Sequence, residues 1–380
     1  MDKEIYDRIF YAYKNYRPLR DLYDNNNIEL SEDTDFASLP YMDKSLLSKY
    51  GFSDLFAVPI EKISRIFTSS GTTGEKHFVA FTENDWNMQA GILAESFLNI
   101  GIGNMDIFYD SIPKSPIFGG HIAVSAATRV GAAVIPAGKM ELENHIKLIN
   151  ATQPTIINGI SFFVLKISEN LSAEIRSKVR IILLVGEYLY PQVREKIKAL
   201  YPFAQVYSGY GISEIAPNNE CTDHTGFHYD PSKLIVEISD CDENGVGEIT
   251  FTSLFSEAMP LVRYKTGDIG FMFHTPCRCG CSWPKINVLG RKDNMINIKG
   301  KLIDKDLLKK IVFSEKGIKF AYCKYYPLED SRLELIYTGD INEDNLLYNI
   351  KSQFNITPKI IKSDSINVEQ WKTSFITESL

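Results

Sequence analysis

The sequence contains no run of about 18 to 20 apolar residues, the length that a membrane-spanning helix needs. Its first residues, MDKEIYDRIFYAYKNY, lack the basic start and the uninterrupted apolar centre of a signal peptide. Both absences favour a cytoplasmic protein with no membrane partner. The net charge of -7 excludes a general attraction to nucleic acid, so any anion must be bound at a local site.

Cysteine is scarce as well, since six residues in a chain of 380 are too few for a disulfide scaffold. In a reducing compartment, clustered cysteines indicate a metal site instead. The phosphate-binding pattern GxxxxGK[ST] of Walker-type loops is absent, and we find no internal repeat. The composition, 44% hydrophobic and 23% charged, is typical of a globular protein, and the length allows two domains.

Short β-rich runs alternate with helical patterns between about residues 63 and 210. The strand candidates are AAVIPAG (132–138), PTIINGI (154–160), RIILLVG (180–186) and AQVYSGYG (204–211). Helical patterns between them cover 141–150 and 190–200. This alternation predicts an α/β fold in which helices cover a mostly parallel sheet.

A domain boundary is predicted after GRKDN (290–294). Upstream of it, the sequence after residue 230 becomes more β-rich, as in KLIVEI and GEITFTS. Downstream, strand-like and helical segments follow each other in a unit of about 85 residues. We therefore expect a large domain at 1–293 and a small α+β domain at 294–380. The alternative is that the C-terminal part continues the first core.

Residues 66–77, IFTSSGTTGEKH, combine glycines with hydroxyl side chains directly after a strand-like run. Glycine lets the backbone approach an anion closely, and hydroxyls with exposed N–H groups donate hydrogen bonds to phosphate oxygens. By itself, such a stretch is more often a solvated loop. A phosphate-binding function needs partners elsewhere in the chain.

Three downstream stretches supply acidic and basic partners. In AQVYSGYGISE (204–214), Glu214 is suited to hold a magnesium ion that bridges phosphates, although an acidic residue at a helix N-terminus is the alternative. RYKTGDIG (263–270) places Asp268 in a glycine-flanked turn, where a carboxylate can accept both hydroxyls of a ribose. GRKDN then combines Arg291 with Asp293 at the predicted domain boundary.

Taken together and in this order, the four stretches resemble the core motifs of the adenylate-forming (ANL) superfamily. The resemblance spans residues 66–300 and is closest to the phenylacetate–CoA ligase-like branch, on the stretches IFGGHIAV (117–124), VGEYLYPQVREKI (185–197) and CRCGCSWPKI (277–286). It implies a large domain with mixed sheets flanked by helices that binds ATP, Mg2+ and a carboxylic acid. The small domain would be mobile and serve two half-reactions, acid adenylation and transfer to a thiol.

The resemblance also implies roles for individual residues. The phosphates would be bound by Ser69, Ser70, Gly71, Thr72, Thr73, Gly74 and Lys76. The rest of the nucleotide site would comprise Gly186, Glu187, Tyr207, Ser208, Gly209, Tyr210, Gly211 and Ser213. Glu214 would coordinate magnesium and act in catalysis, Asp268 would bind the ribose, and Arg291 the ribose or the α-phosphate. Asp293 matches the hinge position.

The sequence departs from the family pattern in two places. The phosphate loop usually continues with proline and then lysine, but here Glu75 is followed by Lys76 and His77. The catalytic lysine near the C-terminus usually follows a glycine, whereas Lys372 follows Trp371. We expect Lys372 to stabilise the attacking carboxylate and the α-phosphate. The alternative is a solvated surface lysine.

A second group of candidate residues indicates zinc. Cys277, Cys279 and Cys281 lie in TPCRCGCSWP, and ECTDHTGFHYD carries Cys221 and His228. Zinc takes four sulfur or nitrogen ligands in a tetrahedron, often from two short loops. We expect a structural site whose ligands are Cys221, His228, Cys277 and Cys279, with Cys281 or His224 as substitutes. Free buried thiols are the alternative, and Cys241 and Cys323 are expected in the core.

The acid-binding residues are the least defined by the sequence. In the resembled branch the acid binds beside the GGH and YGISE stretches, which gives as candidates Phe118, Gly119, Gly120 and His121, with Phe162 and Phe163. Aromatic side chains favour an aryl or other apolar acid, although aromatic runs are also common in cores. Coenzyme A is the first choice of acceptor and a carrier-protein thiol the alternative. A homologue that binds nucleotide without turnover is a further hypothesis.

Overall fold

The computed structural model describes residues 1–68, 78–113, 118–189, 191–327, 331–364 and 376–378. The chain divides into two compact units, Met1–Leu289 and Gly290–Leu380. None of the helices in the described ranges combines the length and the apolar composition that a membrane span requires.

The N-terminal segment of the first unit is helical and packs on a strand more than 200 residues away. It contains α1 (Lys3–Asn15), α2 (Arg17–Asn25) and α3 (Lys44–Leu47). Asp2 starts α1 by accepting a hydrogen bond from the Glu4 amide, which is a helix N-cap. The backbone of Met42 pairs with both neighbours of Tyr264, with N–H···O distances of 3.1 Å to Arg263 and 2.8 Å from Lys265.

A two-stranded antiparallel sheet of β1 (Ile63–Thr68) and β2 (Phe78–Thr82) flanks the Ser/Thr/Gly stretch. The next helix, α4 (Glu83–Asn99), begins with a capping box in which Thr82 and Asp85 exchange hydrogen bonds. The carboxylate of Asp85 also accepts from the amides of Glu257 and Ala258, at 2.7 and 3.0 Å. This buried side chain therefore joins the first turn of α4 to the loop that contains Glu257 and Ala258.

A six-stranded sheet with flanking helices forms the centre of the first unit, in the order β4-β3-β5-β6-β7-β8. Its strands are β3 (Ile107–Asp110), β4 (Ala133–Ile135), β5 (Ile156–Gly159), β6 (Ile181–Leu184), β7 (Gln205–Ile212) and β8 (Ile215–Asn219). The helices between them are α5 (Phe118–Arg129), α6 (Leu142–Thr152), α7 (Ser161–Glu169), α8 (Ala173–Arg176) and α9 (Pro191–Leu200). β3 to β7 pair in parallel, while β8 is antiparallel. The predicted α/β fold, with its four strand and two helix candidates, is confirmed.

A second sheet of five strands has the order β10-β11-β12-β13-β9. Its strands are β9 (Phe227–His228), β10 (Leu234–Ser239), β11 (Gly247–Ser253), β12 (Tyr264–Phe273) and β13 (Lys285–Arg291). The pairs β10–β11, β11–β12 and β13–β9 are antiparallel. The pairing of β9 with β13 sets Lys285 opposite His228.

The second unit is a small α+β structure. It contains β14 (Met295–Ile298), β15 (Lys301–Asp304), α10 (Lys305–Ser314), β16 (Ile318–Tyr326), β17 (Arg332–Gly339), α11 (Glu343–Phe354), β18 (Lys359–Lys362) and β19 (Ile376–Glu378). A four-stranded sheet in the order β18-β17-β16-β19 packs with the helices around Leu308, Leu335 and Ile350. Cys323 is fully buried in this core, as expected.

Candidate functional site

Glu214 lies in the tight turn that joins β7 to β8. Ile212 pairs with Ile215, so Ser213 and Glu214 form a two-residue hairpin connection. The alternative interpretation of Glu214 as a helix N-terminal residue is therefore wrong. The half-buried carboxylate accepts a 3.2 Å hydrogen bond at Oε1 from the Tyr264 hydroxyl. Gln89 Nε2 donates to the Glu214 carbonyl at 3.1 Å, so both backbone and side chain of this turn are held.

Asp268 is 5% exposed and accepts a 2.8 Å hydrogen bond from the hydroxyl of Tyr210. The sequence predicts a turn around it, but Asp268 lies inside β12. The prediction failed because glycine here serves an irregular strand: the β11–β12 register shifts, and Gly267 has φ +77°. The result still holds a carboxylate against the end of β7.

Glycine is required at position 209 for steric reasons. A Cβ atom there would lie 2.5 Å from Val185 Cγ1, which is closer than carbon atoms pack. Gly186, the next residue after Val185, has a left-handed φ of +84°. These two glycines allow the ends of β6 and β7 to lie close together at the carboxyl edge of the parallel sheet, where ligands of open α/β sheets bind.

Glu187 contributes to the start of α7. Its Oε1 accepts hydrogen bonds from Ser161 Oγ at 2.5 Å and from the Phe162 amide at 3.2 Å. The Glu187 carboxylate thus caps the N-terminus of α7 from a neighbouring loop, because it accepts hydrogen bonds from a backbone amide and a hydroxyl of the first turn. Glu187 therefore fixes the βα connection after β6.

Tyr207 and Ser208 are tied to a buried polar group that sequence reasoning did not find. Glu220 accepts from the Ser208 amide at 2.9 Å and binds Arg194 through both carboxylate oxygens at 2.7 Å. Burial opposes ionisation of Glu220, but hydrogen bonds from His224 and Arg194 outweigh it and lower its pKa. The ring of Tyr207, which is 4% exposed, stacks on His224 with centroids 4.8 Å apart.

The residues proposed to bind the acid have different surroundings. Phe118 is 2% exposed and stacks on Phe81 at 5.1 Å, so its ring belongs to the core. At Gly120, a Cβ would lie 3.1 Å from two backbone oxygens. At Gly119 no described heavy atom lies within 4 Å of that position, and the His121 ring lies 5.3 Å from Phe67. Phe162 and Phe163 are half-buried.

The structure brings the four predicted metal ligands together. The ligand atoms of Cys221, His228, Cys277 and Cys279 all lie within 4.8 Å of one another. Cys221 Sγ is 3.6 Å from Cys277 Sγ, and Cys279 Sγ is 3.3 Å from His228 Nε2. His228 Nδ1 donates to the Trp283 carbonyl at 2.8 Å, which turns Nε2 toward the cysteines.

These distances fit a tetrahedral zinc site. With Zn–S of about 2.3 Å and Zn–N of about 2.0 Å, ligand atoms lie about 3.5–3.8 Å apart. The cysteines are free thiols, and 3.6 Å is far beyond the S–S bond length of about 2.05 Å. Partial burial disfavours the Cys277 thiolate, but hydrogen bonds from the Cys279 amide and His228 lower the pKa of Cys277 to about 6. Desolvation and the neighbouring thiols raise the pKa of Cys279 to about 12.

The remaining cysteines and the proposed substitutes have other surroundings. Cys281 contacts the cluster through its amide, which lies 3.4 Å from Cys279 Sγ. His224 stacks on Tyr207 instead of joining the ligand atoms. Cys241 is exposed, so its expected core position is wrong: it follows the end of β10 in a turn.

Several predicted site residues lie outside the described ranges or in the second unit. The phosphate-loop residues Ser69, Ser70, Gly71, Thr72, Thr73, Gly74 and Lys76, and Lys372, lie outside the described residues. Arg291 ends β13, and Asp293 lies in a 3-10 turn; both are exposed. Gly211 lies in β7, one residue before Ile212, and Ser213 is the first residue of the turn that carries Glu214.

Comparison with known proteins shows the family of the chain. Residues 25–237 match the family model of AMP-binding enzymes. The chain is 29% identical over 285 residues to a phenylacetate-coenzyme A ligase of Thermus thermophilus, covering 70% of this chain and 63% of that protein. It is 29% identical over 344 residues to the phenylacetate-coenzyme A ligase of Escherichia coli, covering 85% and 76%. The chain thus spans less than two thirds of the Thermus relative.

A solved structure supports the fold independently. The fold of this chain is similar to that of a 2-hydroxyisobutyryl-CoA ligase in the postadenylation state in complex with R3-HIB-AMP, with a TM-score of 0.79 over 99% of this chain and 88% of that chain. The sequence identity is 17%, so this likeness concerns the fold alone. On the match of the family model to more than half of its length, the chain belongs to the family of AMP-binding enzymes.

Proposed function

We propose that the protein uses ATP and Mg2+ to convert a carboxylic acid into an acyl-adenylate and then transfers the acyl group to the thiol of coenzyme A. The observation that carries this proposal is the pair of crossed hydrogen bonds between the β7–β8 hairpin and β12. Tyr210 holds Asp268, and Tyr264 holds Glu214. Two carboxylates are thereby held where the β7–β8 hairpin meets β12.

In the first half-reaction, an oxygen of the substrate carboxylate attacks the α-phosphorus of ATP. The bond from that phosphorus to the bridging oxygen breaks, and pyrophosphate leaves with the electron pair. Magnesium, when bound, neutralises phosphate charge, which is the main catalytic contribution in such transfers. Glu214 is proposed as its ligand, and Asp268 accepts the ribose hydroxyls. The loop 69–74 with Lys76, the exposed Arg291 and Lys372 remain predictions of the sequence, as does the hinge at Asp293.

In the second half-reaction, the thiol sulfur attacks the acyl carbonyl carbon. The carbon–oxygen bond to AMP breaks, AMP leaves with the electron pair, and the thiol proton passes to solvent. The names of the two bacterial relatives support coenzyme A as the acceptor. A carrier-protein thiol is the alternative that the experiment below distinguishes.

The acid is proposed to be aryl or otherwise apolar and to bind beside Gly119 and His121. No described heavy atom lies within 4 Å of a Cβ position at Gly119, near the start of α5, and Phe67 lies beside the His121 ring. Phe118 supports this surface from the core side through its stack on Phe81. This mostly apolar surface favours a flat acid whose apolar part lies on the surface and whose carboxylate points away from the surface.

The cysteine–histidine cluster is proposed to hold a structural zinc ion. Four protein ligands close the coordination shell, so no position is left for substrate. The ion would fasten the turn at 277–279 to the loop at 221–228. The proposed role of the ion is therefore structural, and it takes no part in acid activation.

The test of the ligase proposal is ATP–pyrophosphate exchange with a panel of aryl and aliphatic acids. We expect exchange with at least one aryl or apolar acid, followed by AMP release when coenzyme A is added. Glu214→Gln should abolish exchange, whereas Glu243→Gln, at an exposed loop position, should leave it unchanged. Release of AMP only with a phosphopantetheinylated carrier protein would reassign the acceptor. ATP binding without exchange for any acid would contradict the enzyme proposal.

The zinc proposal is tested by metal analysis of protein purified without added metal. We expect close to one equivalent of zinc, lost in Cys221→Ser and Cys279→Ser. Cys241→Ser is the matched control, because this exposed cysteine lies outside the cluster. Less than about half an equivalent in the wild-type protein would count against the site.

A further inference from the structure

A buried lysine lies against the cysteine cluster. Lys285, at the start of β13, is 6% exposed, and its Nζ lies 3.4 Å from Cys277 Sγ. The same ammonium donates a 2.6 Å hydrogen bond to Thr225 Oγ1 and lies 4.2 Å from the centroid of the Phe273 ring. Its immediate surroundings are thus a thiol, a hydroxyl and an aromatic face.

The described residues give Lys285 no carboxylate partner at ion-pair distance, whereas the neighbouring-strand Lys265 pairs with Asp240 at 2.7 Å. Burying an ammonium without a counter-charge is strongly unfavourable. The hydroxyl and the aromatic ring offset only part of that cost. Cys277 Sγ, which lies 3.4 Å from Nζ, is a proposed zinc ligand, and cysteine binds zinc as a thiolate anion.

We infer that Lys285 is a positioning residue of the metal site, whose ammonium supplies the counter-charge for the Cys277 thiolate and thereby raises the affinity for zinc. The inference rests on the proposed zinc site. A zinc ion with three thiolates and a neutral imidazole has a net charge of minus one. One ammonium brings the buried cluster to neutrality, which reduces the cost of enclosing it in protein.

The other charges around Cys277 cancel each other. Asp223 Oδ2 lies 3.9 Å from Cys277 Sγ, and this carboxylate pairs with Arg278 at 3.0 Å. Thr225 donates to Asp223 at 3.1 Å while accepting from Lys285. Among the described residues, Lys285 is therefore the positive group whose Nζ lies directly against Cys277 Sγ.

Strand pairing explains how the lysine reaches this position. Lys285 is the direct partner of His228 across β9 and β13, so one rung of the ladder presents a metal ligand and the lysine together. Thr225, within the loop between Cys221 and His228, accepts a hydrogen bond from the ammonium and fixes its direction. The register of the β9–β13 pair therefore fixes the positions of both the zinc ligand His228 and the ammonium of Lys285.

The experiment compares zinc affinity of full-length variants by competition with a chromophoric chelator at one fixed pH. Lys285→Met keeps the length of the side chain and removes its charge. We expect it to weaken zinc binding about 10- to 100-fold, the usual effect of losing a partner of a metal ligand. Lys285→Arg should restore most of the affinity, because it returns a cation with N–H donors. Lys265→Met, the matched lysine on β12, should leave the affinity unchanged.

A second readout is the rate at which iodoacetamide alkylates the zinc-loaded protein. A hydrogen bond from an ammonium withdraws charge from a thiolate, so Lys285→Met should be alkylated faster than wild type and Lys285→Arg should not. If Lys285→Met fails to fold, Thr225→Val serves instead, since it keeps the charge but removes the hydroxyl that directs it; a smaller loss in the same direction is expected.

Two results would overturn the inference. One is equal zinc affinity and alkylation rate in Lys285→Met and wild type. The other is a wild-type protein that binds no zinc after reconstitution. Neither result depends on ATP–pyrophosphate exchange, so a failure of the lysine proposal and a failure of the ligase proposal are separately visible.

Discussion

The hydroxyl of Tyr264 donates a 3.2 Å hydrogen bond to Glu214, a residue 50 positions earlier in the chain. Tyr210, four residues before Glu214, donates at 2.8 Å to Asp268, four residues after Tyr264. Each of the two segments thus orients a carboxylate of the other. A change in the approach of β12 to the β7–β8 hairpin would disturb both carboxylates at once.

The first prediction concerns Tyr264→Phe, which deletes one hydroxyl. A lost hydrogen bond to a charged group costs about 1.5–3 kcal/mol, so we expect kcat/KM for ATP to fall about tenfold or more. Because Glu214 is the proposed magnesium ligand, the magnesium concentration for half-maximal exchange should rise. Tyr13→Phe, at an exposed hydroxyl that contacts Asp24, is the control. An unchanged magnesium dependence would separate Tyr264 from metal binding.

The second prediction concerns Asp268→Asn and the ribose. Substitution by an amide weakens acceptance of the hydroxyls, so KM for ATP should rise. Wild-type protein should discriminate against 2′-deoxy-ATP, and Asp268→Asn should discriminate less. Exchange kinetics with the two nucleotides measure both effects. Equal discrimination in variant and wild type would place the ribose elsewhere.

The third prediction concerns Lys372→Ala. A cation at the α-phosphate stabilises developing charge, and removal of such a donor typically costs about 100- to 1000-fold in rate. We expect exchange to fall by that order while ATP binding, followed by calorimetry, changes little. Lys316→Ala, at an exposed position of the second unit, should have no effect. Full activity in Lys372→Ala would make it a surface lysine.

The fourth prediction concerns packing between β6 and β7. Gly209→Ala places a methyl group 2.5 Å from Val185 Cγ1, so the melting temperature should fall, with a cost of about 1–3 kcal/mol. Gly119→Ala, where no described atom lies within 4 Å, should melt close to wild type. Val185→Ala combined with Gly209→Ala should recover part of the loss. Failure of that recovery would assign the effect to backbone conformation.

The fifth prediction concerns pH and Asp106, which directly precedes β3 and is 3% exposed. Desolvation opposes its ionisation, but hydrogen bonds from Arg180, the Gly103 amide and Thr155 prevail and lower its pKa below the ordinary 3.8. A lowered pKa in the folded state means that ionised Asp106 contributes stability above pH 3.8, and this is lost as the pH falls through the folded value.

Asp106→Asn should therefore cost about 1–3 kcal/mol in free energy of unfolding near neutral pH. The difference from wild type should shrink as the pH falls below 3.8, the ordinary pKa of this group. Urea titrations at a series of pH values measure it. Asp344→Asn, at an exposed helical position, should show no such convergence. A difference that stays constant to the lowest pH would show that the ion pair does not contribute.

Much of the fold was predictable because its signals are local. In RIILLVG the four residues 181–184 are all apolar, which fits a strand covered on both faces, and the helical patterns between the strands are of ordinary length. Asp268 shows the limit of such signals. Its flanking glycines indicate a turn, but they serve an irregular pairing within β12 that depends on a strand outside the local window.

The site was predictable where residue type alone defines the chemistry. Three cysteines and one histidine suffice to propose a metal site, and the structure brings those four together. Tyr264, Gln89 and Lys285 were missed, because a tyrosine, a glutamine or a lysine has many ordinary functions. Gln89 meets the Glu214 carbonyl across 125 residues, and no periodic pattern records such a contact. Burial of Lys285 was likewise invisible, since lysine is rarely enclosed.

The pairing of Met42 with both neighbours of Tyr264 has a consequence for biosynthesis. The contact joins residues more than 220 positions apart. The segment around Met42 can therefore pair with β12 only after β12 has been synthesised. The tyrosine that orients Glu214 is thus anchored to a segment that is translated more than 220 residues before it. A nascent chain that ends before β12 therefore contains Glu214 but not the tyrosine hydroxyl that orients it.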